Sequence, residues 1–215
     1  MITITNKHTD SQSARRYARR VNAESYDIIG FLLFFLLMFW GGQSIADIED
    51  NIPRDPMEYF FHQSFNNLQE ELEMVIEENK SGVFIMFSDK DCPWCMKMKS
   101  TIMNRVDVQE YYREHFRILT VDIRGDTLMV DFDGNEVYEK DFSFKQHRVR
   151  ATPVFMFFDS KGKKTMRLTG IVRNAKEFIW LGEFVVNGEY QKTNFTKYKR
   201  EREQQEKLVS LKQKN

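Results

Sequence analysis

The chain's only two cysteines, Cys92 and Cys95, stand three positions apart, shortly after the continuous apolar run Gly82–Ser88. An apolar run of this length is typical of a strand that is buried on both faces of a sheet. Pro93 suits the first turn of a helix, so the sequence predicts a helix from Pro93 through Met103. The cysteine pair is therefore expected where a buried central strand ends and a helix begins, which indicates an α/β fold.

The remaining patterns predict how that strand is surrounded. The segment Met57–Lys80 carries apolar residues at helical spacing and predicts one long amphipathic helix. Further strand and helix patterns follow, with tight hairpin turns at Asp133–Gly134 and Lys161–Gly162 and a helix at Ala175–Val186. The order is strand, helix, strand, helix, two strands joined by a tight turn, then a helix. It predicts a mixed central sheet flanked by helices.

Residues 1–46 predict a signal peptide or an uncleaved signal anchor. A polar stretch with four arginines precedes the apolar run Ile28–Gly42, which is shorter than the ~20 residues that span a bilayer. Ser44 and Ala46 form an A-x-A-like site, which favours cleavage after Ala46. An anchor is the alternative, because the n-region is long and the run reaches about 19 residues if it is extended to Ala46, close to the length that spans a bilayer. Either interpretation keeps the arginines in the cytoplasm. The predicted location is periplasmic or extracytoplasmic, soluble after cleavage or anchored to the inner membrane.

The rest of the chain divides into three predicted parts. Residues 47–56 contain two prolines and predict a linker, residues 57–188 predict the folded domain, and residues 189–215 predict a charged, helical and largely solvated tail. Lysine and arginine number 32, as do aspartate and glutamate, so the formal net charge is zero. This balance gives no indication of a nucleic-acid partner.

Several kinds of chemistry need two cysteines at this spacing, and the residues around them favour one. A zinc site needs four ligands, but the chain has no second cysteine pair and no histidine at ligand spacing. Covalent haem attachment needs a histidine after the second cysteine, where this chain has Met96. A structural disulfide would close too small a loop to stabilise the fold much. A reactive dithiol is favoured, with no metal and no cofactor beyond its own redox-active disulfide.

The predicted helix N-terminus assigns different roles to the two thiols. Unpaired backbone N–H groups and the helix dipole favour a thiolate there, so Cys92 is the expected nucleophile. Cys95, one turn deeper, is expected to resolve the mixed disulfide. Pro93 would stiffen the turn, and Trp94 would provide an apolar cover. Nearby charges are mixed: Asp89 and Asp91 oppose the thiolate, whereas Lys90 and Lys97 favour it.

A second motif, "ATPVF" at Ala151–Phe155, follows the cysteine pair by about sixty residues and opens a strand. With the Cys-Pro-Trp-Cys motif before it, the chain resembles the thioredoxin superfamily over residues 57–188. The resemblance implies that Thr152 and Pro153 form a cis-proline loop beside the dithiol. It also implies that the backbone of Thr152 binds an extended substrate segment by strand addition. An ordinary proline at a strand start is the alternative reading of Pro153.

The segments "DFDGNEVYEK", "GKKTMRLTG" and "GEYQKTNF" are most similar to SoxW-type periplasmic thioredoxins. This narrower resemblance implies a reductase that acts on disulfides of exported proteins and contributes to cell redox homeostasis. Its electrons would come from a membrane thiol transporter of the DsbD or CcdA kind. Two alternatives stay open: a periplasmic disulfide oxidase or isomerase, and a redox-inactive peptide-binding or chaperone module.

The chain departs from the family's pattern at one position. Thioredoxins commonly bury an acid six residues before the first cysteine, and this acid takes the proton of the resolving cysteine. Met86 occupies that position here. The proton of Cys95 must therefore pass to water or to another carboxylate.

Overall fold

The structure, a computed structural model, describes residues 52–213. The strands among them are β1 (Gly82–Ser88), β2 (Phe116–Asp122), β3 (Leu128–Val130), β4 (Glu136–Tyr138), β5 (Val154–Phe158) and β6 (Lys164–Thr169). The α-helices are α1 (Pro56–Tyr59), α2 (Leu68–Glu77), α3 (Pro93–Met98), α4 (Val106–His115), α5 (Glu139–Asp141), α6 (Ala175–Val186) and α7 (Phe195–Lys212). Wider π-helical turns continue α3 over Lys99–Met103 and α5 over Phe142–Gln146.

The predicted signal or anchor segment, residues 1–46, lies outside the described residues. No helix within residues 52–213 is long and apolar enough to cross a membrane. Of the predicted linker, Arg54 donates its backbone N–H to the carbonyl oxygen of Asn104 at 2.8 Å, and Asp55 caps α1. The last linker residues are therefore bound to the domain.

The four-stranded sheet has the order β2-β1-β5-β6, with β1 and β5 as its two central strands. β1 runs parallel to β2 and antiparallel to β5, while β5 and β6 form an antiparallel hairpin. This confirms the predicted mixed sheet. Six of the seven residues of β1 are buried, as expected for a strand covered on both faces.

Side chains alternate between two hydrophobic clusters, one on each face of the sheet. Phe84 and Met86 face the cluster that contains both cysteines, together with residues of α4 and α6. Val83, Ile85 and Phe87 face the second cluster, which includes Leu68 of α2. The period-two alternation of β1 thus places Met86 on the same face of the sheet as the dithiol.

The prediction of one helix over residues 57–80 is wrong in its middle. α1 ends at Tyr59 and α2 begins at Leu68, because Asn67 caps α2 by accepting the backbone N–H groups of Gln69 and Glu70. A cap of this kind fixes a helix start, whatever apolar spacing precedes it. The intervening segment buries Phe60 and Phe61 and leaves Phe65 in solvent.

The segment between α1 and α2 closes the outer edge of β2. His62 donates its backbone N–H to the carbonyl oxygen of Ile118 at 2.8 Å, and its ring Nδ1 accepts the N–H of Ile118 at 2.9 Å. Burial and the positive charges of Arg117, Arg113 and Lys80 lower the pKa of His62 to about 3. The folded protein therefore favours the neutral form of the His62 ring.

The predicted tail helix is present as α7, and its first turns belong to the domain. Phe195 and Tyr198 are buried against Phe184 of α6. Glu177 of α6 is also buried and accepts hydrogen bonds from Arg173 and Lys199. The expectation of a solvated tail holds only for the later turns of α7, whose residues from Gln204 onwards are exposed.

The buried histidine at the edge of β2 predicts acid sensitivity. The folded pKa of His62 lies below its ordinary value of about 6.5, so the stability it contributes is present above pH 6.5 and is lost as pH falls toward 3. In His62→Asn, the amide oxygen can accept the same N–H without titrating. Between pH 7 and pH 5, the unfolding free energy of the parent should fall by about 1 kcal/mol more than that of the variant. This figure allows for solvent screening.

Urea denaturation of both proteins at the two pH values measures this difference. His147, whose pKa burial lowers to about 4, contributes a similar term, and His147→Asn measures it separately. A parallel pH dependence of the parent and His62→Asn would contradict the assignment.

Candidate active site

The two cysteines lie at the N-terminus of α3, just after the end of β1. Cys92 is the N-cap of α3 and Cys95 lies in its first turn, with Cα atoms 5.3 Å apart and the sulfur atoms joined in a disulfide. Pro93 occupies the first helical position, as predicted. The expected junction of central strand and helix N-terminus is therefore present.

The backbone of α3 directs one hydrogen-bond donor at the first sulfur. Cys92 Sγ accepts the backbone N–H of Cys95 at 3.1 Å. The carbonyl oxygen of Cys92 accepts the N–H of Met96, and the N–H of Cys92 is donated to the carbonyl oxygen of Asp89. Both sides of Cys92 are thus fixed by backbone hydrogen bonds. The same donor would stabilise a Cys92 thiolate once the disulfide is reduced.

The residues around the pair differ in exposure. Cys92 is 6% exposed and Cys95 is 2% exposed, so the first sulfur is the more accessible one. Trp94 is half exposed, and its ring lies 5.3 Å from the Nζ of Lys97. Met96 is also more than half exposed. Both apolar side chains are therefore exposed within α3, on different sides of the helix.

An ion pair in the loop before Cys92 was not foreseen from the sequence. The carboxylate of Asp89 is buried, contacts Arg124 Nε at 2.7 Å and accepts the backbone N–H of Asp91 at 3.1 Å. We expected Asp89 to oppose a thiolate, but Arg124 offsets its negative charge. Asp89 therefore serves mainly to hold the loop that presents Cys92. The two residues are 35 positions apart, so no local pattern could pair them.

Met86 is fully buried and lies opposite Phe155 on one side and Thr120 on the other. Its surroundings belong to the same apolar cluster as Cys95. Ser88 and Thr120 lie on the same face, and their hydroxyls are hydrogen-bonded to each other at 3.1 Å. Thr120 also donates to the carbonyl oxygen of Met86.

One carboxyl group at this end of the sheet can hold a proton. Glu139 is buried and accepts the backbone N–H of Asp122, the last residue of β2. Burial, opposed by hydrogen bonds and aided by the charge of Asp122, raises the pKa of Glu139. Sequence reasoning missed Glu139, because its place at the sheet end depends on the hairpin of β3 and β4 that precedes it.

Thr152 and Pro153 lie at the same end of the sheet as the dithiol. Val154 pairs with Phe87, so Pro153 stands beside the end of β1 from which the cysteine loop departs. The Thr152–Pro153 peptide bond is cis, and the carbonyl oxygen of Pro153 accepts the N–H of Gly170 at 2.9 Å. Pro153 is buried and Thr152 is partly exposed.

Two cavities lie away from the cysteine pair. One, of about 570 Å³, lies between α6 and α7 over Trp180, and its charged walls are joined by ion pairs such as Lys176 with Glu206. The other, of about 160 Å³, lies at the edge of β2 and includes His62 in its lining. Within residues 52–213, no group of three or more acidic, histidine or cysteine side chains is placed to hold a metal ion.

Known proteins that resemble this chain indicate the family to which it belongs. A family model described as a thioredoxin-like domain matches residues 68–186, and no curated protein matches the chain. Among solved structures, a thioredoxin-fold protein from Helicobacter pylori is 24% identical with a TM-score of 0.49, covering 60% of this chain and 87% of that one.

Two further structures are more distant. The C-terminal domain of Neisseria meningitidis DsbD in its reduced form is 19% identical with a TM-score of 0.42, covering 54% of this chain and 92% of that one. The DsbH oxidoreductase is 17% identical with a TM-score of 0.45, covering 68% and 95%. At these values the solved structures say nothing about activity. The family model spans more than half of the 215 residues and includes the cysteine pair, and on that match the chain belongs to the thioredoxin-like domain family.

Proposed function

We propose that the protein is a thiol–disulfide oxidoreductase in which Cys92 is the nucleophile and Cys95 the resolving thiol. The observation that carries this proposal is the position of Cys92 as the N-cap of α3, with its sulfur accepting the N–H of Cys95. A sulfur at a helix N-terminus is stabilised as a thiolate, which is the reactive form. The greater exposure of Cys92 supports the same order of roles.

The reaction proceeds by two exchange steps. The Cys92 thiolate attacks a disulfide of the partner protein, forms a mixed disulfide and displaces one partner sulfur as a thiolate. Cys95 then loses its proton and attacks the sulfur of Cys92. The bond between Cys92 and the partner breaks, and the second partner sulfur leaves as a thiolate. The partner is reduced by two electrons, and the protein is left with the Cys92–Cys95 disulfide.

Substrate recognition is proposed at the loop before β5. Within residues 52–213, no other backbone group bonds to the N–H or carbonyl oxygen of Thr152, so both are free to pair with an extended segment. The half-exposed Trp94 stands next to the cysteine pair and offers apolar contact. We assign Thr152 and Pro153 to substrate binding, and Pro93 and Trp94 to tuning of the dithiol.

For direction, we favour reduction of disulfides in exported proteins, as in SoxW-type periplasmic thioredoxins. The chain has no third cysteine, so its own disulfide must be reduced by thiols of another molecule. A membrane thiol transporter of the DsbD or CcdA kind would supply these electrons outside the cytoplasm. The basic and apolar pattern of residues 1–46 supports that location, soluble or anchored to the inner membrane.

The equilibrium reduction potential of the Cys92–Cys95 pair is the most direct test of direction. A potential near that of thioredoxin, about −270 mV, supports a reductase, whereas one near −120 mV supports an oxidase. A dithiol that fails to exchange with a redox buffer would leave only a peptide-binding or chaperone module.

The assignment of the two thiols predicts different trapping behaviour. Cys95→Ser should accumulate mixed disulfides with partner proteins, because the attacking thiol is retained and the resolving one is lost. Cys92→Ser should trap none. In the reduced parent at neutral pH, iodoacetamide should modify Cys92 about tenfold faster than Cys95, owing to the lowered thiol pKa at the helix N-terminus. Mass spectrometry of tryptic peptides gives both rates, and equal rates would refute the assignment.

Because Met86 has apolar surroundings, an acid at this position is predicted to lower the stability of the fold and to speed the Cys95 step. Met86→Asp places a carboxyl on the dithiol face, where a buried acid is costly, so it should lower the unfolding free energy by about 1–3 kcal/mol. The same carboxyl can accept the proton of Cys95, so resolution of the mixed disulfide should be faster near pH 8. Stopped-flow reduction of a model disulfide measures that step.

Met156→Asp is the matched control for this experiment. Met156 is equally buried on the neighbouring strand but faces the other cluster, away from the cysteines. It should cost similar stability and leave the rate of the Cys95 step unchanged. If Met86→Asp also leaves that rate unchanged, then the proton already has another route, for which Glu139 and the Ser88–Thr120 hydroxyl pair are the candidates.

A further inference from the structure

Phe65 is the most exposed large apolar side chain among residues 52–213. Its side chain is 96% exposed, whereas the next such residue, Ile76, is 68% exposed. Isolated surface apolar residues are common, but most lie against neighbouring side chains. A phenyl ring held almost wholly in water gains nothing for the fold of its own chain.

The loop that carries Phe65 is held in a defined conformation. Asn66 adopts a left-handed backbone with a φ of 59°, which is uncommon for a residue other than glycine. The hydroxyl of Ser64 accepts the N–H of Asn66 at 3.1 Å, and the carbonyl oxygen of Asn66 accepts the N–H of Val130 at 2.8 Å. These bonds keep the ring of Phe65 directed at solvent.

A cavity that can admit an aromatic ring opens beside the same loop. Its volume is about 160 Å³, close to the roughly 150 Å³ that holds a benzene ring. Its lining is mixed: polar residues such as His62 and Thr120 alternate with the apolar residues Met57, Phe61, Leu68, Leu119, Val121 and Met129. The cavity reaches the surface, because Met57 and Gln63 in its lining are exposed.

The ring and the cavity are neighbours on one surface. Ser64 and Asn66, which flank Phe65, both line the cavity, while Phe65 itself does not. A surface that carries a projecting group next to a matching recess is self-complementary. A two-fold axis then places each projecting group in the recess of the other copy. We propose that the protein forms a symmetric homodimer in which Phe65 of each copy fills this cavity in its partner.

Further exposed apolar residues extend the proposed contact. The hydrogen bond between Val130 and Asn66 holds this loop beside β3, where Leu128 pairs with Tyr138 of β4. Leu128 and Tyr138 are each about half exposed. The contact surface therefore consists of an aromatic centre with apolar residues around it, the usual composition of an interface centre.

The choice of a second copy as occupant rests on this pairing of features. An unrelated partner would have to supply both a side chain for the cavity and a recess for Phe65. A second copy supplies both by identity. Movement of Phe65 into its own cavity would require breaking the hydrogen bonds of Ser64 and Val130 with Asn66. This interface uses neither cysteine, so it is independent of the proposed oxidoreductase activity.

Sedimentation velocity of the full chain in a non-ionic detergent tests the proposal. Protein concentrations from about 1 µM to 1 mM cover the dissociation constants expected of an interface of modest size. We expect a concentration-dependent dimer for the parent. Phe65→Ala removes both inserted rings, and should raise the dimer dissociation constant at least about 100-fold. Because Phe65 is exposed in the monomer, the variant should keep the denaturation midpoint of the parent at protein concentrations where the parent is monomeric.

Ile76→Ala is the matched control, since it removes another exposed apolar side chain, from α2 outside the cavity. It should leave the dimer dissociation constant unchanged. N-acetylphenylalanine amide, added as a competitor for the cavity, should shift the parent toward monomer. A parent that stays monomeric throughout, or a dimer that Phe65→Ala and Ile76→Ala weaken equally, would overturn the proposal.

Discussion

The burial of β1 on both faces is the constraint on which the rest of the molecule depends. Residues Val83–Phe87 are fully buried, and each such side chain stabilises the fold by about 1.5–3 kcal/mol relative to exposure. β1 can begin at residue 82 because that residue is glycine: a Cβ there would lie 2.0 Å from the carbonyl oxygen of Phe158. With β1 held between β2 and β5, the chain has to emerge at Ser88. The position of the cysteine pair follows from where this strand ends.

After β1 ends at Ser88, the loop to α3 is shaped by local backbone geometry and by the charge of Arg124, which is distant in the sequence. The N-cap position directs the N–H of Cys95 toward the sulfur of Cys92, and Arg124 offsets the charge of Asp89 behind it. A loop with an uncompensated buried carboxylate would disfavour a nearby thiolate, so the arginine matters to the chemistry as well as to the fold. The site combines a backbone dipole with an ion pair, and its apolar side at Met86 adds no charge.

Features encoded by local sequence were predictable, and features that depend on distant contacts were not. The continuous apolar runs that form β1 and β5, the turn at Lys161–Gly162 and the start of α6 follow from short-range patterns. The break between α1 and α2 was missed, because apolar spacing continues through it and only the Asn67 cap interrupts it. The Asp89–Arg124 pair and the exposure of Phe65 depend on how separate segments meet in space, which periodicity does not encode.

The packing of α7 has a consequence for the order of events in folding. Phe195 and Tyr198 complete the cluster around Phe184, and Lys199 is a partner of the buried Glu177. During synthesis, α7 emerges after the strands of the sheet, because it follows them in the sequence. The sheet can therefore form early, but this part of the core is completed only when α7 is free to dock.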